Sequence, residues 1–388
     1  MNTALKLSKT FIQFFDSEKS SAILLFVCVI VAIAITNSAF GQDYLSFWQT
    51  TIGGLTLAQW VNDGLMAVFF LLIGLELERE LYVGELSSLK DALLPIVAAV
   101  GGMLVPAIIY TLFNQGSLTQ AGFGIPMATD IAIALGVLAL LGNRIPSALK
   151  VFLVAFAVID DLGAIIIIAL FYTAKLSLYS LFGALLVWTI LILLNRIFKI
   201  IHIAPYVIGG VIMWVFMLQS GIHATIVGVM LAFAIPFSVK DDDEKSPSHK
   251  LEHFLHKPVS IIILPIFALA NTGVIFDANS IPELISISSL GIVFGLLVGK
   301  PLGVSLTCYL AVKKGICQLP IDVNWWHIIG AGMLGGIGFT MSIFITNLAF
   351  ANNSALINSA KMAILSASLG SAILGFIWLK FIRQKNNN

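Results

Sequence analysis

Charge is what this sequence lacks most. Only 11% of its 388 residues are Asp, Glu, Lys or Arg, against roughly 25% in an ordinary soluble domain. With 59% hydrophobic residues, a water-facing globule is excluded, because too few polar side chains remain to cover its surface. Cysteine is scarce as well. Cys28, Cys308 and Cys317 are too few and too scattered for a disulfide framework or a zinc knuckle, and read as ordinary apolar residues. Near the N-terminus there is no short apolar core followed by a small-residue cleavage site, so the first apolar span is expected to be retained. Nothing calls for a cofactor, an enzymatic residue set or a nucleic-acid partner.

What the chain does have is long apolar runs. A bilayer core about 30 Å thick needs about 20 apolar residues per helix, and about twelve such segments follow one another with short polar punctuation. The expected fold is an all-α polytopic membrane protein, a single transporter domain over 1–388. Lysine and arginine fall in alternate loops. Lys6, Lys9 and Lys19 precede the first span; Arg79 with Lys90, Arg144 with Lys150, and Arg196 with Lys199 follow the second, fourth and sixth. Lys240, Lys245, Lys250 and Lys257 follow the eighth, Lys313 and Lys314 the tenth, and Lys380, Arg383 and Lys385 close the chain. Only Lys175 and Lys361 interrupt the alternation. Positive loops stay inside, which predicts both termini on the cytoplasmic side of the inner membrane.

The spans are not all plain. ALKLSKTFIQFF, residues 4 to 15, suits a helix lying on the membrane surface, before a first span at about 21 to 37. The second, about 57 to 76, carries Asp63 and ends in the acidic run Glu76, Glu78, Arg79, Glu80. The fourth has Gly122, Gly124 and Pro126 just before Thr129 and Asp130; proline removes a donor and bends the preceding residue away from helix, predicting a break at membrane depth. Asp160 and Asp161 lie side by side in the fifth span, about 148 to 173, and His223 lies at the junction of the seventh and eighth. A charged loop at about 238 to 257 places His249, His253 and His256 on one helix face with Glu252 beside them. Lys300 sits in the middle of the tenth span, and glycines 330, 332, 335, 336 and 338 predict a second break in the eleventh.

Segments 3–5 (about 92–173) and 10–12 (about 289–381) thus each have an interrupted helix in the middle, and by parity they run in opposite directions. Inverted repeats with paired broken helices point to a secondary transporter with a site near the midplane. An acid at the bilayer centre costs roughly 2.5 to 3.5 kcal/mol on insertion scales, so Asp130, Asp160, Asp161 and Lys300 need partners or a purpose. Adjacent residues on a helix point about 100° apart; one aspartate can line an ion cavity while the other pairs with Lys300. Buried carboxylates favour their protonated form, and hard cations favour oxygen ligands, so protons and a cation would compete for the same atoms. A sodium-coupled solute symporter shares this logic and is the alternative reading. An intramembrane aspartyl protease fits poorly, since the pair is on one helix and a GxGD arrangement is absent.

ATDIAIALGVLALLG, AVIDDLGAIIIIALFYT, KLEHFLHKP, GKPLG and GGIGFTMSIFI together resemble a bacterial sodium/proton antiporter of the NhaA family, over essentially the whole chain. That family is itself a known case of inverted-repeat architecture. The resemblance implies exchange of external protons for internal sodium or lithium. It makes Asp161 the main ion ligand and Asp160 the salt-bridge partner of Lys300 with a share in the site, while Thr129 and Asp130 compensate crossed helix ends. Glu76, Glu252, His253 and His256 match positions linked to pH response; Asp63 and His223 match as well. Besides ions, protons and the bilayer, the implied partner is a second copy, though Asn37 to Thr56 is short for the β-hairpin that joins protomers in that family.

Overall fold

The computed structural model describes residues 9–84, 86–173, 176–238, 246–277, 280–351 and 353–382. Lys6, Lys175, Lys240, Lys245, Arg383 and Lys385, the first part of the expected surface helix and the interior of the charged loop lie outside the described residues.

Apolar side chains along every turn and a backbone that must satisfy itself in lipid leave helix as the only economical local structure. α1 covers Lys9–Thr36, α2 Gly41–Trp48, α3 Leu57–Tyr82 and α4 Leu89–Asn114. A 3₁₀ stretch, Leu118–Met127, precedes α5 (Ile131–Leu140); α6 is Ser147–Phe171, α7 Leu178–Arg196, α8 Ala204–Ser220 and α9 Ile226–Ala232. α10 is Pro247–Asn271, α11 Ser280–Leu284, α12 Ile287–Lys313, α13 Trp325–Gly335, α14 Phe339–Ala349 and α15 Ser354–Phe381. Among the described residues, seven helices are long and apolar enough to cross a membrane, or up to ten if each bent pair counts as one span. The chain is therefore a helical, multi-pass membrane protein. The expected seventh and eighth spans become α8, with 17 residues, and α9, with only 7.

Two further differences have local causes. The charged helix after the loop and the expected ninth span form one rod, α10, because Ser246 caps its start and Pro258 is absorbed by a π-helical stretch at Val259–Ile263. The connection before α3 does hold a small hairpin, β1 (Thr51–Ile52) and β2 (Leu55–Thr56), in antiparallel register. Its two-residue turn uses Gly53 and Gly54 at positive φ (62° and 87°), a conformation glycine adopts without strain.

Contacts divide the chain into two compact units. One is Met1–Ser38, Ser88–Ala164 and Thr272–Asn388; the other is Ala39–Ser87 and Ile165–Asn271. In the first unit α4 and α12 meet backbone to backbone, since a Cβ on Gly303 would fall 2.2 Å from the Gly101 carbonyl oxygen. Small residues permit that approach, and the Thr307 hydroxyl donates to the Val97 carbonyl at 3.0 Å across it. Lys300, one turn earlier and directly after a π stretch at Gly295–Gly299, is thereby fixed in the unit's interior.

Candidate ion site

The site is built from the two breaks. After the 3₁₀ stretch the chain is extended through Ala128 to Asp130, then re-enters helix with a bend of 42°; α13 and α14 are related by a bend of 46°. A break leaves carbonyls and amides without helical partners, and in an apolar interior each such group is costly. Here the two breaks satisfy one another. The Asp130 amide donates to the Ile337 carbonyl at 2.6 Å, the Thr129 hydroxyl to the Gly335 carbonyl at 2.8 Å, and the Ser342 hydroxyl to the Ile125 carbonyl at 2.7 Å.

Asp130 closes both starting helix ends with one carboxylate. Its Oδ1 accepts from the Ile133 amide at 3.0 Å, at the start of α5. Its Oδ2 accepts from the Thr340 amide at 3.1 Å, at the start of α14, and from the Thr340 hydroxyl. Helix N-termini carry partial positive charge, so a single buried anion between two of them is favourably placed. Thr340 and Ser342 take part as fully as Thr129, yet nothing in the sequence distinguishes them from ordinary hydroxyls of a membrane helix; their pairing emerges only when the breaks cross.

Asp160 and Asp161 are fully buried on α6, and Lys300 is fully buried on α12. The Lys300 ammonium donates to Asp160 Oδ2 at 2.6 Å and lies 5.5 Å from the centre of the Phe156 ring. Asp161 acts on Lys300 electrostatically, and Thr129 sits next to the Asp160 carboxylate. Phe156, one turn before Asp160, packs under Gly335 of the second break. Crossing, aspartates and lysine thus form one buried constellation within the first unit. Its oxygens, from two carboxylates and a threonine, are of the type that can hold a hard cation.

The other sequence candidates belong to the second unit. Asp63, in a π stretch at Trp60–Leu65 of α3, pairs with His223 through Oδ1 and Nε2 at 3.1 Å, and the His223 Nδ1 meets the Thr225 hydroxyl at 2.8 Å. Glu252 pairs with Arg79 at 3.0 Å and approaches His249 at 3.9 Å. Glu76 is buried, and its charge acts on Arg79. His256 is within electrostatic reach of Glu252, whereas His253 is exposed. Glu252 and Glu76 therefore converge on Arg79. Glu78 is buried beside them and accepts from the Ser248 hydroxyl at 3.3 Å.

Known proteins resemble the chain over nearly its whole length. The family model described as Na+/H+ antiporter 1 matches residues 12–379. A protein of Dechloromonas aromatica named Na(+)/H(+) antiporter NhaA is 62% identical over 386 residues, covering 100% of this chain and 99% of its own. Proteins of the same name from Flavobacterium psychrophilum and Citrobacter koseri are 56% and 48% identical, each covering at least 95% of this chain and 97% of its own. With a family model and full-length relatives in accord, the chain belongs to the Na+/H+ antiporter 1 family.

Proposed function

We propose that the chain is an electrogenic antiporter that extrudes sodium, or lithium, in exchange for external protons and becomes active at alkaline pH. The observation that carries this reading is the fully buried Lys300–Asp160 pair with Asp161 adjacent in sequence, next to a crossing of two broken helices. In the ion-free state Lys300 neutralises Asp160. A sodium ion taken up by Asp161 and Asp160 replaces that neutralisation, and protons re-form the ion-free state from the opposite side. Asp130 and Thr129 keep the broken ends satisfied while the helices shift around the site. The relatives' names support antiport and lend nothing to a solute symporter.

In this reading the protein crosses the bacterial inner membrane about twelve times, with inverted repeats at about 92–173 and 289–381 and both termini cytoplasmic. A homodimer joined near the short hairpin belongs to the same proposal. Glu76, Glu252, His253 and His256, with Asp63 and His223, would set the pH range. The decisive experiment is sodium-induced proton movement in proteoliposomes of the purified protein. Expected is proton release from loaded vesicles on adding sodium or lithium, at a rate that changes when a membrane potential is imposed, each net charge being worth about 2.3 kcal/mol per 100 mV. Absence of sodium-linked proton movement defeats the reading; a rate indifferent to potential defeats its electrogenic part.

A further inference from the structure

Behind the crossing, in the first unit, lies an apolar cavity of about 160 Å³. Its mouth includes Phe26 of α1 and Leu369 of α15, 41% and 48% exposed, and its floor is Ile133, Ile337 and Phe339, all buried. Neither aspartate of the ion site lines it. The lining is almost wholly apolar, and its polar residue, Ser368, already accepts from the Phe339 amide at 3.2 Å.

Depth decides what can fill it. Phe26 stands near the middle of the apolar segment Ser20–Thr36, and Leu369 near the middle of Ser354–Phe381. Along these helices Ile23, Ile30 and Ile373 are exposed apolar side chains of the kind a spanning helix turns to lipid. The mouth is continuous with that lipid-facing surface, and at mid-membrane depth a bilayer offers hydrocarbon and nothing else. In size the cavity matches a dry apolar cavity of about 150 Å³ that holds benzene, room for about six carbons.

We propose that this cavity is an acyl-chain site, in which the terminal part of a lipid tail enters past Phe26 and Leu369 and rests on Ile133, Ile337 and Phe339. The backbones of all three residues are bonded at the breaks, and that of Ile337 joins one break to the other. The Ile133 amide donates to Asp130, the Ile337 carbonyl accepts from the Asp130 amide, and the Phe339 amide donates to Ser368. The lipid tail thus packs directly against the break, on a site separate from the one that exchanges ions.

The test uses the full chain in phosphatidylcholine vesicles doped with phosphatidylcholine carrying a diazirine near the end of one acyl chain. After irradiation, adducts are mapped by mass spectrometry. Adducts are expected on the buried floor residues as well as on exposed Ile30. Ala372→Phe fills the cavity, since Ala372 lines it, and should lower floor adducts about tenfold relative to Ile30, as a filled apolar cavity no longer admits a ligand. Leu369→Trp obstructs the mouth and serves the same purpose if Ala372→Phe fails to insert. Adducts confined to exposed residues in the parent protein, or floor labelling undiminished in the folded variants, would overturn the assignment.

Discussion

Two ion pairs in this molecule look alike on paper and differ in consequence. Lys300–Asp160 lies at 2.6 Å with both side chains fully buried, whereas Arg79–Glu252 lies at 3.0 Å with side chains 38% and 13% exposed. The second is only partly buried, and the exposed part of Arg79 leaves it some contact with water. The first has no solvent to fall back on. Removing one partner strands a buried charge, at a cost of roughly 3 to 5 kcal/mol. The protein thus keeps its most expensive electrostatics where the helices are broken, and its replaceable electrostatics at a helix end, where charges can rearrange cheaply.

The sharpest way to test that contrast is on exchange itself. Asp161→Asn should abolish sodium-dependent proton movement while leaving insertion and thermal stability near those of the parent, measured by vesicle proton fluxes alongside a melting curve. Full exchange in the purified variant would remove Asp161 from the ion site.

Next comes the buried pair. Asp160→Asn should lower stability by roughly 3 to 5 kcal/mol and impair exchange severely. The added change Lys300→Met should recover much of the lost stability without restoring transport. Glu252→Gln should cost less than Asp160→Asn, because Arg79 is 38% exposed and keeps contact with water. Equal losses from Asp160→Asn and Glu252→Gln in denaturation experiments would erase the distinction drawn between the two regions.

A smaller effect is expected at the crossing. Thr340→Val removes the hydroxyl's bond to Asp130 while keeping the amide's, and a hydrogen bond to a charged group is worth about 1.5 to 3 kcal/mol. Because both groups belong to one network, the effects of Thr340→Val and Asp130→Asn should be non-additive in a double-mutant cycle. Additive losses would mean that Asp130 does not join the two breaks.

The smallest and most conditional effect concerns pH. Ion pairs between Glu252 and its neighbouring histidines hold only while those histidines are protonated. Replacing Glu252, His253 and His256 together should therefore shift the acidic limb of the exchange profile if this end of the second unit controls activity. Simple competition between protons and sodium at Asp160 and Asp161 predicts instead that saturating sodium moves the limb to lower pH and the triple replacement leaves it in place. An unchanged profile at low and saturating sodium would assign pH dependence to the ion site alone. Exposure of His253, against the nearness of His249 and His256 to Glu252, makes His253 the member expected to matter least.

Much of this was open to reading in the residues themselves. Long apolar runs dictate helices wherever lipid is the solvent, and Pro126 and the glycines around 336 mark the breaks, because backbone conformation is a local property. Asp130, Asp160, Asp161 and Lys300 announced themselves because ionisable side chains are rare in such runs. What the sequence could not decide was partnership. The Lys300–Asp160 pair is named through the family resemblance, whereas that Asp130 caps its own helix and also one whose Thr340 lies 210 residues on, that Glu252 answers to Arg79 and that Thr340 and Ser342 belong to the crossing all depend on which helices lie together. The continuity of α10 through Pro258 and the formation of a two-residue hairpin likewise rest on accommodations that neighbouring turns make. Local chemistry determined where the chain would bend and which charges needed company; only tertiary packing, through close approaches such as Gly101 on Gly303, determined who the company is.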